Sequence, residues 1–188
     1  MENNFKDILT KEEKIVSVYK PHKGRFFAES LLTFVIGWLF IFGMYLLFYF
    51  ANGSADDPVS PKGLMIALFV LLGVLVLTFA LTFIGTKVCY DKRFYAYTNK
   101  RIIVRTGLIG VDYKSLDIAQ IGAINVRVDL LDKVFKSVTG TIRFGSMASP
   151  INSQQGSTPF AFRFVEKPYE IYCVIKEDMD NKNGLDIK

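Results

Sequence analysis

Histidine is nearly missing from this chain: among 188 residues only His22 carries an imidazole. A Ser-His-Asp triad, a histidine-based zinc site or a histidine general base would each have to run through that one residue. It sits in Lys-Pro-His-Lys beside a long apolar run, where an interfacial hydrogen-bonding role is expected. Cysteine is scarce as well. Cys89 and Cys173 have no close spacing, which fits neither a disulfide framework nor a zinc pattern, and both read as small apolar fillers kept reduced. Charge is absent from two long stretches, Leu31 to Ala51 and Gly63 to Thr86. Pumps and proton relays need an ionisable group within the membrane, so transport by this chain alone is not expected. Neither stretch contains GxxxG, so the close small-residue helix dimer is not indicated.

What is present explains those gaps. The chain is 51% hydrophobic and yet 22% charged. The two classes are segregated along the sequence. The run LLTFVIGWLFIFGMYLLFYFA has 21 residues; at about 1.5 Å per residue it matches a hydrocarbon core of about 30 Å. The second run, GLMIALFVLLGVLVLTFALTFIGT, has 24 residues. So short a chain holds too little protein to cover two such helices in water. The first run also starts too late and is too long for a cleaved signal.

The short connection NGSADDPVSPK forces a helical hairpin. Lys20, Lys23 and Arg25 precede it, and Lys87, Lys92 and Arg93 follow it. The positive-inside rule then places both termini in the cytoplasm and the loop with Asp56 and Asp57 outside. The expected organisation is a cytoplasmic N-terminal segment at 1–25, a transmembrane helix at 26–51, an external loop at 52–62, a second transmembrane helix at 63–86, a cytoplasmic domain at 87–178 and a flexible tail at 179–188. Glu29, one turn after Arg25, is expected to pair with it at the interface.

After Thr86 the period changes to two. RFYAYT and RIIVRT flank an Asn-Lys turn and read as a hairpin. VDYKSLDI, AINVRVD, TGTIRF and PFAFRFV follow as further strands, several with clean alternation. LLDKVFK reads as a short helical turn. Pro168 suits the first position of a helix, in which Ile171, Val174, Ile175 and Met179 form one apolar stripe. EEKIVSVYKPH, near the N-terminus, is strand-like and is a candidate extra strand. The predicted fold is a membrane α-helical hairpin followed by a mainly-β domain of about seven antiparallel strands, closed by a C-terminal α-helix.

The stretches YAYTNKRIIVRTGLIG, SLDIAQI and LLDKVFKSVTGTIRF, followed by the proline before the last helix, resemble the bacterial pleckstrin-homology (PH)-like membrane proteins. The residues that carry the likeness are Thr98 and Arg101, Gly107, Asp117 with Ile118 and Ile121, and Gly140, Thr141 and Ile142. The resemblance implies a bent, seven-stranded PH-like barrel capped by the helix. It implies little about activity beyond the common use of PH-like folds to bind lipids, peptides or proteins without doing chemistry. The turn around Asn99-Lys100 is too short for the long basic hairpin loop with which eukaryotic PH domains cradle phosphoinositides.

No catalytic constellation stands out. Gly140 and Gly145 lack the lysine of a phosphate-binding loop, since Ser146 follows. Ser146 and Ser149 lack a nucleophile-elbow context. Asp129 and Asp132 read as solvated surface. GSMASPINSQQGST is long for so compact a domain and reads as a binding loop or a mobile one. The net charge is +5, but the basic residues crowd beside the apolar runs, which fits anionic headgroups and topology rather than nucleic acid. The candidate headgroup or partner surface is Lys20, Lys23, Arg25, Lys87, Lys92, Arg93, Lys100 and Arg101. The expected function is a non-enzymatic module, without cofactor or metal, held at the inner membrane. It would recruit a protein partner or a second copy of itself, or engage lipid headgroups. An accessory subunit of a larger membrane complex or transporter is the alternative, and an enzyme acting on membrane lipid a weaker one.

Overall fold

The computed structural model describes residue 5 and residues 8–52, 61–134, 139–146 and 160–185. The connection at 52–62, apart from its flanks, and most of the segment from Gly145 to Thr158 lie outside the described residues. The chain divides into two compact units: residues 27–88, and residues 1–26 together with 89–188.

The first unit is a pair of antiparallel helices, most of α1 (Lys23–Asn52) and α2 (Pro61–Lys92). Their facing seam is aromatic and hydroxylic. Phe27 packs on Phe83 at 5.7 Å and Phe34 on Phe79 at 5.4 Å. The hydroxyls of Ser30 and Thr86 lie 2.6 Å apart, and Thr86 Oγ1 also donates to the Thr82 carbonyl. On α2 the half-buried positions 67, 71, 75, 78 and 82 recur at helical spacing, so one narrow stripe faces the partner helix. The remaining surface is apolar and uncovered; Leu39 is 65% exposed and Phe40 71%. Both helices are long and apolar enough to cross a membrane.

The second unit carries seven strands: β1 (Ile15–Tyr19), β2 (Phe94–Thr98), β3 (Arg101–Thr106), β4 (Asp112–Asp117), β5 (Ile121–Arg127), β6 (Thr139–Ser146) and β7 (Ala161–Glu166). The N-terminal segment does add a strand. All pairings are antiparallel, in two sheets ordered β1-β2-β3-β4 and β5-β6-β7. A barrel was expected, but among the described residues no ladder joins the two sheets into a closed one. A short helix, α3 (Leu130–Val134), connects β5 to β6, and α4 (Pro168–Leu185) follows β7.

The period of two determines which faces meet. Tyr95 and Tyr97 of β2 point inward with Ile102, Val104 and Leu116, and meet Ile142, Phe144, Phe162 and Val165 of the other sheet. Phe94, Ala96 and Ile103 point outward, but Phe5, Ile8, Leu9, Ile15 and Val18 cover them. Every residue of β2 is therefore buried.

Helix α4 contributes Pro168, Ile171, Ile175 and Met179 to the buried side. Val174, assigned by sequence to the same stripe, is 49% exposed; it lies 100° round from Ile175, on the far flank. The predicted tail is in fact helical to Leu185, because buried Met179 extends the apolar stripe to the residue where the tail was expected to begin. Gly140 has a steric role. A Cβ there would stand 2.8 Å from Pro168 Cγ and 3.0 Å from the Arg127 carbonyl oxygen, so the strand can approach the start of α4 only without a side chain.

Candidate functional site

The eight predicted basic residues have different fates. Arg25 is not a surface residue: it is 1% exposed. Its Nε donates to Asp132 Oδ1 at 2.6 Å, and its guanidinium lies 4.4 Å from the Phe164 ring centre. Asp132, read from sequence as solvated, is fully buried. It also accepts from Thr139 Oγ1 at 2.8 Å and from the Asp129 N–H at 2.8 Å. The latter is half of a capping box at the start of α3. A buried carboxylate with three donors, one of them a cation, has its charge met locally, which explains why it tolerates removal from water.

Arg101 is likewise committed. Its Nε and Nη2 donate to the two carboxylate oxygens of Glu13, each at 2.9 Å, and Nη2 also reaches the Ile8 carbonyl. Burial by itself would raise the Glu13 pKa. The Arg101 guanidinium, the Thr98 hydroxyl and the Thr10 N–H outweigh that and hold it at about 2. Lys100 forms an exposed pair with Glu12. Lys92 Nζ caps three carbonyls of the β3–β4 turn, those of Leu108, Ile109 and Gly110. Lys20 lies 4.3 Å from the Tyr90 ring centre and Arg93 5.1 Å from that of Phe26. Lys23 and Lys87 are exposed. The structure thus does not bring the eight together as one solvent-facing basic patch, because buried carboxylates take Arg25 and Arg101.

His22 turns out to be a helix cap. Its Nδ1 accepts from the Arg25 N–H at 3.2 Å in the first turn of α1, and its own N–H donates to the Phe164 carbonyl at 2.7 Å. Phe164 adopts a left-handed φ of 56°, unusual for so bulky a residue. The contacts of its carbonyl with His22 and of its ring with Arg25 and Phe26 offset that strain. Among the described residues no group of acidic, histidine or cysteine side chains is arranged to hold a metal ion.

A different surface offers a binding geometry. Strand β5 pairs with β6 alone, leaving its other edge outside any ladder among the described residues. Beside that edge runs α4. Between them lies a groove of about 250 Å³ lined by Ile121, Gly122, Ala123, Ile124, Tyr172, Lys176 and Met179. The register shifts between Ile121 and Ala123, so the strand bends at Gly122. The groove thus offers backbone hydrogen-bonding groups on one wall and mixed apolar and cationic side chains on the other. Sequence reasoning missed it. The only hint was the side-chain-poor pair Gly122-Ala123 within a strand that ends on an unpaired edge.

The family model for the bacterial PH domain matches residues 31–179. The chain belongs to that family. No curated protein and no solved structure matches it. The match to the bacterial PH domain takes in most of α1, all of α2 and strands β2 to β7, and leaves out β1. PH-like domains generally bind rather than catalyse. Of the residues that carried the resemblance, Thr98, Gly107 and Gly140 have structural roles, and Ile121 lines the groove. Thr98 Oγ1 accepts from the N–H groups of Lys100 and Arg101, which shapes the β2–β3 turn, and lies 2.8 Å from Glu13. Gly107 is required because a Cβ would fall 2.2 Å from the Gly110 carbonyl oxygen.

Proposed function

We propose that this bacterial PH protein is a non-enzymatic adaptor anchored in the inner membrane. In this reading the helical hairpin spans the bilayer, both termini are cytoplasmic, and the β-domain recruits a protein partner. The partner's extended segment adds to the edge of β5 that no ladder among the described residues occupies, against α4. The observation that carries the proposal is that edge with its adjoining groove: an unpaired ladder supplies affinity through the backbone, and pockets alongside supply selectivity. Headgroup recognition by a basic patch is less favoured, because Arg25 and Arg101 are held by Asp132 and Glu13.

The anchor is supported by the uncovered apolar surface of both helices, none of whose most apolar window is buried. Water would make such a surface unfavourable at about 25 cal/mol per Å². The orientation is supported by Lys20, Lys23, Lys87 and Lys92 at the ends of the hairpin.

Two measurements test the reading. A photo-crosslinker at Tyr172 should give a discrete protein adduct in native membranes, and one at Val16, on the edge of the other sheet, should not. Adducts at neither position, or equally at both, would count against the groove. Exposed Cys173 reports orientation. In a Cys89→Ser background, a membrane-impermeant maleimide should label it in inverted vesicles and not in intact spheroplasts; the reverse pattern would overturn the topology.

One observation favours a second reading, an accessory subunit of a larger membrane assembly. The hairpin carries an apolar cleft of about 500 Å³ lined by Trp38, Ile41, Tyr45, Val70, Leu71 and Val74 among others. A neighbouring helix would fill it. Crosslinks from Ile41 to another membrane protein would favour this reading; none would be expected of a plain anchor.

A further inference from the structure

The turn between β3 and β4 presents its apolar residues outward. Ile109 is 95% exposed, Leu108 51%, Val111 40% and Tyr113, at the foot of β4, 38%. Single exposed apolar residues are ordinary on a protein surface. Three within four consecutive positions at the tip of a hairpin form a patch, and such patches mark contact surfaces.

The turn is also fixed in place. Lys92 Nζ donates to the Leu108 carbonyl at 2.8 Å and to the Ile109 carbonyl at 3.0 Å, with Gly110 at 3.4 Å. An ammonium has three protons, so one side chain can serve all three acceptors. Backbone carbonyls that already have a donor lose less on leaving water. Gly107 sets the close return of the chain that makes this arrangement possible.

Lys92 is the last residue of α2, and Thr86 ends the uncharged run six residues earlier in the same helix. At about 1.5 Å per residue the separation along the helix is about 9 Å. The polar headgroup layer and an interfacially bound helix occupy depths of this order. The charged residues flanking the turn and its Lys92 clamp are Lys92, Arg105 and Lys114 on the basic side, with Asp91 and Asp112 the acids. Arg105 extends between the rings of Phe94 and Tyr113, at 5.6 and 5.9 Å. An apolar tip with a mostly basic collar is the pattern that lies in an anionic lipid interface.

We infer that the β3–β4 turn inserts Leu108, Ile109 and Val111 into the headgroup region of the bilayer that the hairpin spans, with Lys92 as the clamp that holds it there. The contact is a second point of attachment, and it restricts the β-domain's rotation about its tether. It rests on the membrane-anchor reading above but not on the partner groove.

The test uses the full chain in nanodiscs of phosphatidylcholine and phosphatidylglycerol, with Cys89 and Cys173 changed to serine. An environment-sensitive nitrobenzoxadiazole label is attached at Ile109→Cys or, as a control on β5, at Asn125→Cys. Lipids carrying a nitroxide near the headgroup should quench the label at 109, with blue-shifted emission, and leave that at 125 unquenched. Trp38, the one tryptophan of the chain, independently reports the spans through quenching by lipids brominated deep in the acyl chain. Trp38 quenched with the label at 109 unquenched would overturn the inference and leave the anchor standing. Equal quenching at 109 and 125 would also overturn it, since the whole domain would then lie on the surface. Trp38 unquenched would remove the anchor and the inference with it. Lys92→Met should weaken quenching at 109 without altering Trp38; no change would overturn the role of the clamp.

Discussion

The two units of this protein are built inside out with respect to each other. In residues 27–88 the large apolar side chains, such as Leu39, Phe40 and Phe69, face outward, and the hydroxyls of Ser30 and Thr86 face inward and meet. In the β-domain Tyr95, Phe144, Phe162 and Ile175 are inside, and Lys and Glu pairs such as Lys167 with Glu170 are outside. On the proposed membrane anchor the same chemistry sorts both units, and the solvent, lipid for one and water for the other, reverses the sign. Where water surrounds the fold, apolar area drives collapse. Where lipid does, helices gain little by hiding leucine, and packing detail and polar contacts hold them together.

The comparison is broken most severely where the β-domain violates its own rule and buries both members of an ion pair, Arg25 and Asp132. Asp132→Ala leaves Arg25 buried without its carboxylate and should cost about 3–5 kcal/mol. Denaturation of the full chain in detergent, followed by circular dichroism, would show it. A loss below about 1 kcal/mol would mean that water reaches Arg25.

The next effect separates the two units at an exposed position in each. Leu39→Arg should cost about 2.5–3.5 kcal/mol of membrane insertion at a span centre, read from the glycosylated fraction of a translocation reporter. Val174→Arg, at an exposed position on α4, should change stability by no more than about 0.5 kcal/mol. Equal tolerance of arginine at both sites would remove the distinction between the two solvents.

The third sharpens the view of the β-domain through pH. The Glu13 pKa lies below its ordinary 4.5, at about 2, in the folded protein. Its contribution is therefore fully present above about pH 4.5 and is lost as pH falls through about 2, on the order of 2–3 kcal/mol. Glu13→Gln should flatten that part of the stability profile between pH 5 and 2. An unchanged slope would show that other carboxylates set it. The smallest effect is within the hairpin. Ser30→Ala should cost about 0.6 kcal/mol, the typical value of a hydroxyl contact between membrane helices. A loss of several kcal/mol would make the seam a polar core rather than a minor contact.

The elements themselves were legible because each rests on local pattern. Uncharged runs of membrane length, alternation in AINVRVD and the stripe Ile171–Ile175–Met179 need no knowledge of distant partners. The N-terminal strand was legible for the same reason. The fates of the charges were not legible. The i,i+4 spacing of Arg25 and Glu29 gives no sign that the Arg25 Nε is bonded to Asp132, 107 residues away in sequence. Spacing along a helix gives no account of a loop that folds back from another sheet. Some trace was still present: Thr10-x-x-Glu13 and Asp129-x-x-Asp132 both carry the capping-box spacing, and each second member proved to be a buried acid. The groove was invisible because an unpaired edge belongs to sheet order, which strand propensity does not encode.

The distance between Arg25 and Asp132 also has a meaning in time. Synthesis at about 5–20 residues per second leaves about 5–20 s between the emergence of one and of the other, 107 residues later. Throughout that interval the first apolar helix has already been made, and Arg25 at its leading end has not yet met Asp132. On the proposed topology the same guanidinium therefore serves twice in succession: first as a cytoplasmic retention charge while the hairpin is being oriented, then, once Asp132 and Thr139 have been made, as an internal fastening of the finished domain.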